Sequence, residues 1–111
     1  MNNIEKKIKD NTEDYNDYTY MIDKVQKELE ELKQKIITLD FDNEKEKDAE
    51  VIEVNNKTIK EYNNLFNKRF HHLSLMKISK KEIAKTIRKL KKELKIASKS
   101  IENGAKHETD R

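Results

Sequence analysis

The residues of this chain that could do chemistry are mostly lysines, and they are concentrated in one stretch. From Lys77 to Lys99 there are ten Lys or Arg and only two acids. On a heptad grid seven of these basic residues fall at outer positions, so on a helix they form one continuous basic face opposite an apolar stripe. The basic face consists of Lys81, Lys85, Arg88, Lys89, Lys92, Lys95 and Lys99.

Three roles are open for this basic face. It could follow nucleic-acid phosphates by counterion release, with strong salt dependence. It could dock on an acidic protein surface, or it could be a solvated face that keeps the protein soluble. Arg88 is the only arginine in the face, and no aromatic residue lies within the stretch. Specific base readout favours bidentate Arg and base stacking needs aromatic rings, so any binding to nucleic acid is expected to have little base selectivity.

Negative charge is concentrated in the other half of the chain. Residues 10–53 hold fifteen acids and six lysines. Such a surface could imitate a phosphate backbone and inhibit a nucleic-acid enzyme, for example a CRISPR effector. The other interpretation is that an acidic helix lies beside the basic one within a bundle. The charge asymmetry between the halves is the most informative functional feature of the sequence.

Catalytic and metal chemistry are not expected. No set of nucleophile, base and orienting residue is visible, so we predict that the protein is not an enzyme and acts on no small-molecule substrate. Asp40, Asp42 and Glu44 alternate like the start of a calcium loop, but Lys45 and Val51 stand where that loop needs Gly and Glu. We predict no metal site, no catalytic residue and no cofactor.

Three tyrosines near the N-terminus are candidate contacts to another protein. They are Tyr15, Tyr18 and Tyr20. Tyr15 and Tyr18 lie on the apolar stripe described below, whereas Tyr20 falls off it. Tyr20 is therefore the best single candidate for an exposed contact residue.

A long heptad pattern must position the first half of the chain. With Ile22 as an a position, eleven of twelve a and d positions are apolar or aromatic, which is typical of a coiled-coil helix. The pattern predicts a helix over about 4–39 that could pause near residues 10–12. The twelve positions are Met1, Ile4, Ile8, Asn11, Tyr15, Tyr18, Ile22, Val25, Leu29, Leu32, Ile36 and Leu39.

The chain should then reverse and form a second helix. Asp40-Phe41-Asp42-Asn43 interrupts the heptads, and Asn43 with Glu46 forms a capping box, so we predict a helix over about 44–77. Leu65 and Phe70 broaden its apolar stripe, which indicates that this helix faces more than one neighbour.

The basic stretch is predicted to be a third helix over about 79–102. Ser79 and Glu82 form a second capping box, with Ile78 and Ile83 as a hydrophobic staple. The stripe of this helix would extend as far as Ile101. Asn103-Gly104 is a typical helix end, and 105–111 would be a polar tail. The alternative is one unbroken helix from 44 to 102, because the heptad register runs through Ser79 without a phase shift.

Together these elements predict an all-α protein in a single helical domain over 1–111. The architecture is an elongated antiparallel helical hairpin or a three-helix bundle with coiled-coil packing. A homodimer is expected, since the apolar fraction of 33% is low for independent stability. The alternative is a monomer whose stripe awaits another protein. Without a signal peptide or an apolar span, we expect a cytoplasmic protein that does not bind membranes.

Three functions remain open. The first is a non-catalytic protein-interaction module, such as an accessory or inhibitory factor of a phage or mobile element. Lys, Asn and Ile make up about 40% of the chain and have AT-rich codons, which suggests an AT-rich bacterial origin. The second is a nucleic-acid-binding protein that uses the helix over 79–102. The third is an acidic mimic that blocks a nucleic-acid enzyme.

Overall fold

Two long helices make up the protein. The computed structural model describes residues 3–109, with side chains described for 3–99. Helix α1 spans Asn3–Lys45 and helix α2 spans Ala49–Thr109, joined by residues 46–48. Within 3–109 there is no strand. The predicted all-α class is confirmed, and of the two predicted architectures the structure has the helical hairpin.

The two helices contribute to two compact units. The first combines Met1–Thr19 with Ile78–Arg111, and the second is Tyr20–Lys77. Within the second unit, Lys35 contacts Tyr62 and Glu28 contacts Arg69, so α1 and α2 pack antiparallel there. The first unit contains one segment of each helix, and Tyr15 contacts Lys80 in it.

A seam of heptad a and d positions holds α1 against α2. All seven apolar residues that are buried among 3–99 fall on that register, and no buried residue in this range is polar. Fully burying one such side chain contributes about 1.5–3 kcal/mol, so these residues stabilise the contact between the helices. Met1 and the side chain of Ile101 lie outside the described residues. The buried residues are Ile22, Val25, Leu29, Leu32, Leu73, Met76 and Leu90.

Helix α1 is longer than the sequence predicts. It continues through residues 10–12, where Asn11 Nδ2 and Thr12 Oγ1 each donate a hydrogen bond of 2.7 Å to the carbonyl four residues back. The predicted interruption at residues 40–43 is also wrong. That segment has no Gly or Pro to stop a helix, and Lys45 Nζ lies 4.3 Å from the centre of the Phe41 ring one turn earlier.

The reversal instead occupies residues 46–48. Glu46 Oε1 accepts hydrogen bonds of 3.1 Å from the backbone N–H groups of Lys47 and Asp48. Asp48 caps α2, because its Oδ1 accepts from the Glu50 N–H at 2.9 Å and its carbonyl accepts from the Ile52 N–H at 3.1 Å. The prediction of Asn43 as the cap of a helix starting at 44 is therefore wrong.

Asn43 has a different role, in which it ties the two helices together beside the turn. Its Nδ2 donates to Asn56 Oδ1 at 3.0 Å, and its Oδ1 accepts from Asn55 Nδ2 at 2.8 Å. Asn43 and Asn55 occupy positions where the seam would otherwise hold apolar residues. A polar pair at such positions fixes the register of two helices.

Helix α2 runs through Ser79 without a break, so the predicted third helix is wrong and the unbroken alternative is what the structure shows. A break there would remove several backbone hydrogen bonds, and the local capping signals do not outweigh them. Glu82 instead pairs with Lys85, and Ile78 is exposed rather than stapled to Ile83.

The predicted helix end at Asn103-Gly104 is also wrong. Both residues are helical, and so is the predicted polar tail as far as Thr109. A glycine that ends a helix adopts a left-handed backbone conformation. Gly104 is helical instead, so it does not end α2. Residues 110 and 111 lie outside the described residues.

Leu73 tests the seam against a matched control two residues away. Leu73 is 4% exposed and Leu75 is 50% exposed. Leu73→Ala should lower the free energy of unfolding by about 2–5 kcal/mol, because it removes buried methyl groups and leaves a cavity. Leu75→Ala should change it by about 0.5 kcal/mol or less. Urea unfolding followed by circular dichroism measures both, and equal losses would contradict the seam.

Asp48 tests the position of the turn. Asp48→Ala should lower the free energy of unfolding by about 1 kcal/mol, because the Glu50 N–H loses its acceptor. Asp48→Asn keeps a capping oxygen and should stay close to the native value. The same urea titration compares the two variants. NMR chemical shifts of an Asn43→Ala variant locate the start of α2, and a start that is unchanged from the native chain would support Asp48 over Asn43 as the cap.

Candidate functional site

The basic face lies on α2 as predicted. All seven of its side chains are exposed. On the opposite side of α2, Leu90 is buried, and Ile83 and Ile87 are half-buried. The predicted separation of a basic face from an apolar stripe is therefore present in the structure.

Six of the seven basic residues follow one another in a line along one side of α2. They follow one another at intervals of four, three, four, three and four residues. At 100° per residue these intervals keep them within a sector of roughly 80°, and each interval rises about 4.5–6 Å along the helix. We call this line the basic ladder. It consists of Lys81, Lys85, Arg88, Lys92, Lys95 and Lys99.

The ladder has little compensating negative charge. Lys85 Nζ lies 3.3 Å from Glu82 Oε1, and both side chains are largely exposed, so this pair adds little stability. Among residues 3–99 no other ladder member forms an ion pair. Like charges three or four residues apart destabilise a helix by about 0.2–0.5 kcal/mol per pair. The ladder therefore works against the helix that carries it.

Lys80 is a basic residue of the same stretch with a different role. It occupies a seam position and is half-buried, with Nζ 4.8 Å from the centre of the Tyr15 ring on α1. A cation over an aromatic face is favourable, and the lysine stem covers apolar surface. Lys80 thus belongs to the packing of the first unit and not to the ladder.

The three candidate tyrosines have different environments. Tyr15 and Tyr18 are half-buried at seam positions of the first unit. Tyr20 belongs to the second unit and is 71% exposed. Of the three, Tyr20 has the exposure that a contact residue needs.

An open groove of about 530 Å³ runs beside the ladder within the first unit. Tyr15 and Ile87 form its apolar part, and Arg88 and Lys91 line its basic side. Positive charge therefore extends from the ladder across one edge of this groove.

The acidic region is partly compensated by its own lysines. Asp23 pairs with Lys27 at 3.2 Å on the outer surface of α1. Glu28 pairs with Arg69 at 3.6 Å, which among residues 3–99 is the one ion pair between α1 and α2. Neither pair involves the basic face.

A second candidate surface flanks the seam of the second unit. Leu65 and Phe70, which were predicted to face another neighbour, are 41% and 55% exposed. The Phe70 ring stacks on the half-buried Phe66 ring, with centroids 6.3 Å apart and planes at 10°. At 100° per residue Leu65 and Phe70 lie about 140° apart around α2, on opposite edges of the seam. We call the edge that carries Phe70 the apolar flank.

Several further apolar residues that were not predicted to be exposed are exposed in the structure, including Ile78 and Ile96. Both lie outside the a and d positions once α2 is continued through Ser79 without a break. The heptad register was therefore the signal that could have found them.

Comparison of the chain with protein-family models, curated proteins and solved structures gives no match. No group of three or more His, Cys, Asp or Glu in the described part of the chain could hold a metal ion. None of the described helical segments is long and apolar enough to cross a membrane.

Repulsion within the ladder should appear as a salt-dependent stability. Between about 0.01 M and 0.15 M salt the Debye length falls from about 30 Å to 8 Å, so charges far apart on the ladder stop repelling one another. We expect the Tm to rise over this range, and to rise less in a variant carrying Arg88→Gln and Lys92→Gln. Thermal melts followed by circular dichroism measure this.

The matched control removes the same two charges elsewhere. Lys24 and Lys33 are exposed lysines of α1 that lie among acids. A variant carrying Lys24→Gln and Lys33→Gln should keep the full rise of Tm with salt. An identical salt response in the ladder variant and the native chain would show that the ladder is not under strain.

Proposed function

We propose that the protein is a non-catalytic protein-interaction module. Its two-helix hairpin would present the apolar flank to a second protein chain. The observation that carries this proposal is the exposure of Leu65 and Phe70 beside a seam that α1 already fills. Exposed apolar surface of this kind is typical of interaction sites.

Phe70 is the centre of the proposed contact. Its ring is held against Phe66, so it would lose little side-chain entropy on binding. Aromatic anchors that are fixed before binding are typical of the residues that dominate interface energy. Tyr20 is a further exposed aromatic residue of the same unit that suits a contact.

The first candidate for the partner is a second copy of this chain. Seven buried residues are few for the 97 residues of 3–99, and small helical proteins with limited cores commonly gain stability by oligomerising. Two hairpins that pack through their flanks would give each α2 the second neighbour that its broad stripe calls for.

Phe70→Glu tests the proposal. By light scattering, the native chain should have twice the mass of 13.3 kDa, and Phe70→Glu should return it to 13.3 kDa. Loss of an interface anchor costs about 2 kcal/mol or more, which raises the dissociation constant at least about 30-fold. Asn64→Glu is the matched control, because it adds the same charge at an exposed outer position and should leave the mass unchanged.

A native chain that stays at 13.3 kDa would contradict self-association. A photo-crosslinking residue at position 70, used in cells that express the chain, then tests for a heterologous partner. A protein adduct that Asn64→Glu retains and Asn67→Glu abolishes would support the module, because Asn67 is an exposed residue on the same side of α2 as Phe70. Absence of both a dimer and an adduct would contradict it.

A further inference from the structure

The basic ladder is an arrangement of charge that folding does not require. Six like charges lie in one line on α2, and only Lys85 has a carboxylate partner among residues 3–99. Solubility is served as well by mixed charges, such as the Asp23–Lys27 pair on α1. A line of like charges that is mostly unpaired within 3–99 and that destabilises its own helix points to an anion outside the chain.

We infer that the basic ladder binds the phosphate backbone of a nucleic-acid duplex without reading its bases. This binding goes beyond the proposed protein contact and uses different residues. It belongs to the first unit, whereas the apolar flank belongs to the second.

The length and continuity of the ladder suit a linear polyanion. From Lys81 to Lys99 the ladder rises about 27 Å at 1.5 Å per residue. Over that length a duplex carries about 16 phosphates, at one charge per 1.7 Å of its axis. Since α2 is unbroken through this stretch, its cations stay in register over the whole length.

The residue types favour a duplex over a single strand. Proteins that hold single strands stack bases on aromatic side chains, and residues 78–99 contain no aromatic residue. Base edges are read mainly by bidentate Arg, and Arg88 is the only arginine here. Flexible lysines remain, and these contact phosphates as point charges.

A membrane surface is a poorer fit. A helix that lies on lipid buries an apolar face beside its basic one. On α2 the apolar residues opposite the ladder pack on α1, with Leu90 buried. The two exposed apolar residues of this stretch, Ile78 and Ile96, are about 27 Å apart along the helix and form no stripe.

The salt dependence of DNA binding tests the inference. The probe is a fluorescent DNA duplex of about 20 base pairs, which at 3.4 Å per pair is longer than the ladder. Anisotropy titrations of the full chain should give a plot of log affinity against log salt with a slope of about −4 to −5, as expected for four to six phosphate contacts. Affinity should fall about 10²- to 10³-fold between 50 and 200 mM salt.

A ladder variant and a matched control locate the binding. The ladder variant carries Lys85→Gln, Arg88→Gln and Lys92→Gln, and it should bind roughly tenfold or more weakly, with a slope shallower by about 3. The control carries Lys24→Gln, Lys33→Gln and Lys57→Gln, three exposed lysines of the second unit. It removes the same charge and should bind like the native chain. Circular dichroism confirms that both variants are helical.

Four results would overturn the inference. The first two are no DNA binding at about 25 mM salt, where the electrostatic attraction is strong, and equal losses of DNA affinity in the ladder variant and the control. The other two are displacement of the DNA by polyglutamate at equal charge concentration, and binding to phosphatidylserine vesicles that is as strong as binding to DNA. Polyglutamate competition would assign the ladder to an acidic protein surface, and vesicle binding would assign it to lipid. Phe70→Glu leaves the ladder intact. The DNA assay therefore tests the ladder and the mass measurement tests the apolar flank, and either result can be negative without the other.

Discussion

The structure depends on one interaction, the packing of α1 on α2 through heptad positions. The chain has no cysteine, and among residues 3–99 no polar residue and few side chains are buried, so little besides this packing holds the hairpin together. The turn and the Asn43 contacts set the register, and the seam then decides which side of each helix meets solvent. The candidate surfaces follow from that division, because the basic ladder, Phe70 and Tyr20 all fall off the seam and are exposed.

The seam could be predicted from the sequence, but the helix ends could not. The apolar period gives the buried positions directly, since the same repeat that predicts a coiled coil places Leu29 and Met76 inside. Helix ends depend on local competition. Ser79 and Glu82 match a capping box, yet the uninterrupted backbone hydrogen bonds and the continuing register favour a single helix. At the true turn, Asp48 caps α2 after a helix that the apolar pattern alone would end earlier.

The candidate site divides in the same way. Exposure of the basic face could be predicted, because exposure follows from the register. The separate role of Lys80 could not, because its contact with Tyr15 depends on where α1 lies. The finding that Lys85 alone of the ladder has an ion-pair partner among residues 3–99 also needed the structure, since an acidic α1 beside a basic α2 could have neutralised the ladder. Among residues 3–99, the one ion pair between the helices is instead Glu28 with Arg69.

The seam also explains how one small hairpin could serve two partners. A seam of a and d positions uses about two residues in seven, which leaves most of each helix surface free for other contacts. Along α2 that free surface changes character, from apolar side chains at Leu65 and Phe70 to a line of cations from Lys81 onward. The affinity of an apolar contact depends little on salt concentration, whereas the affinity of phosphate contacts falls steeply as salt is added. Two surfaces that respond to salt so differently can therefore be separated by varying ionic strength alone.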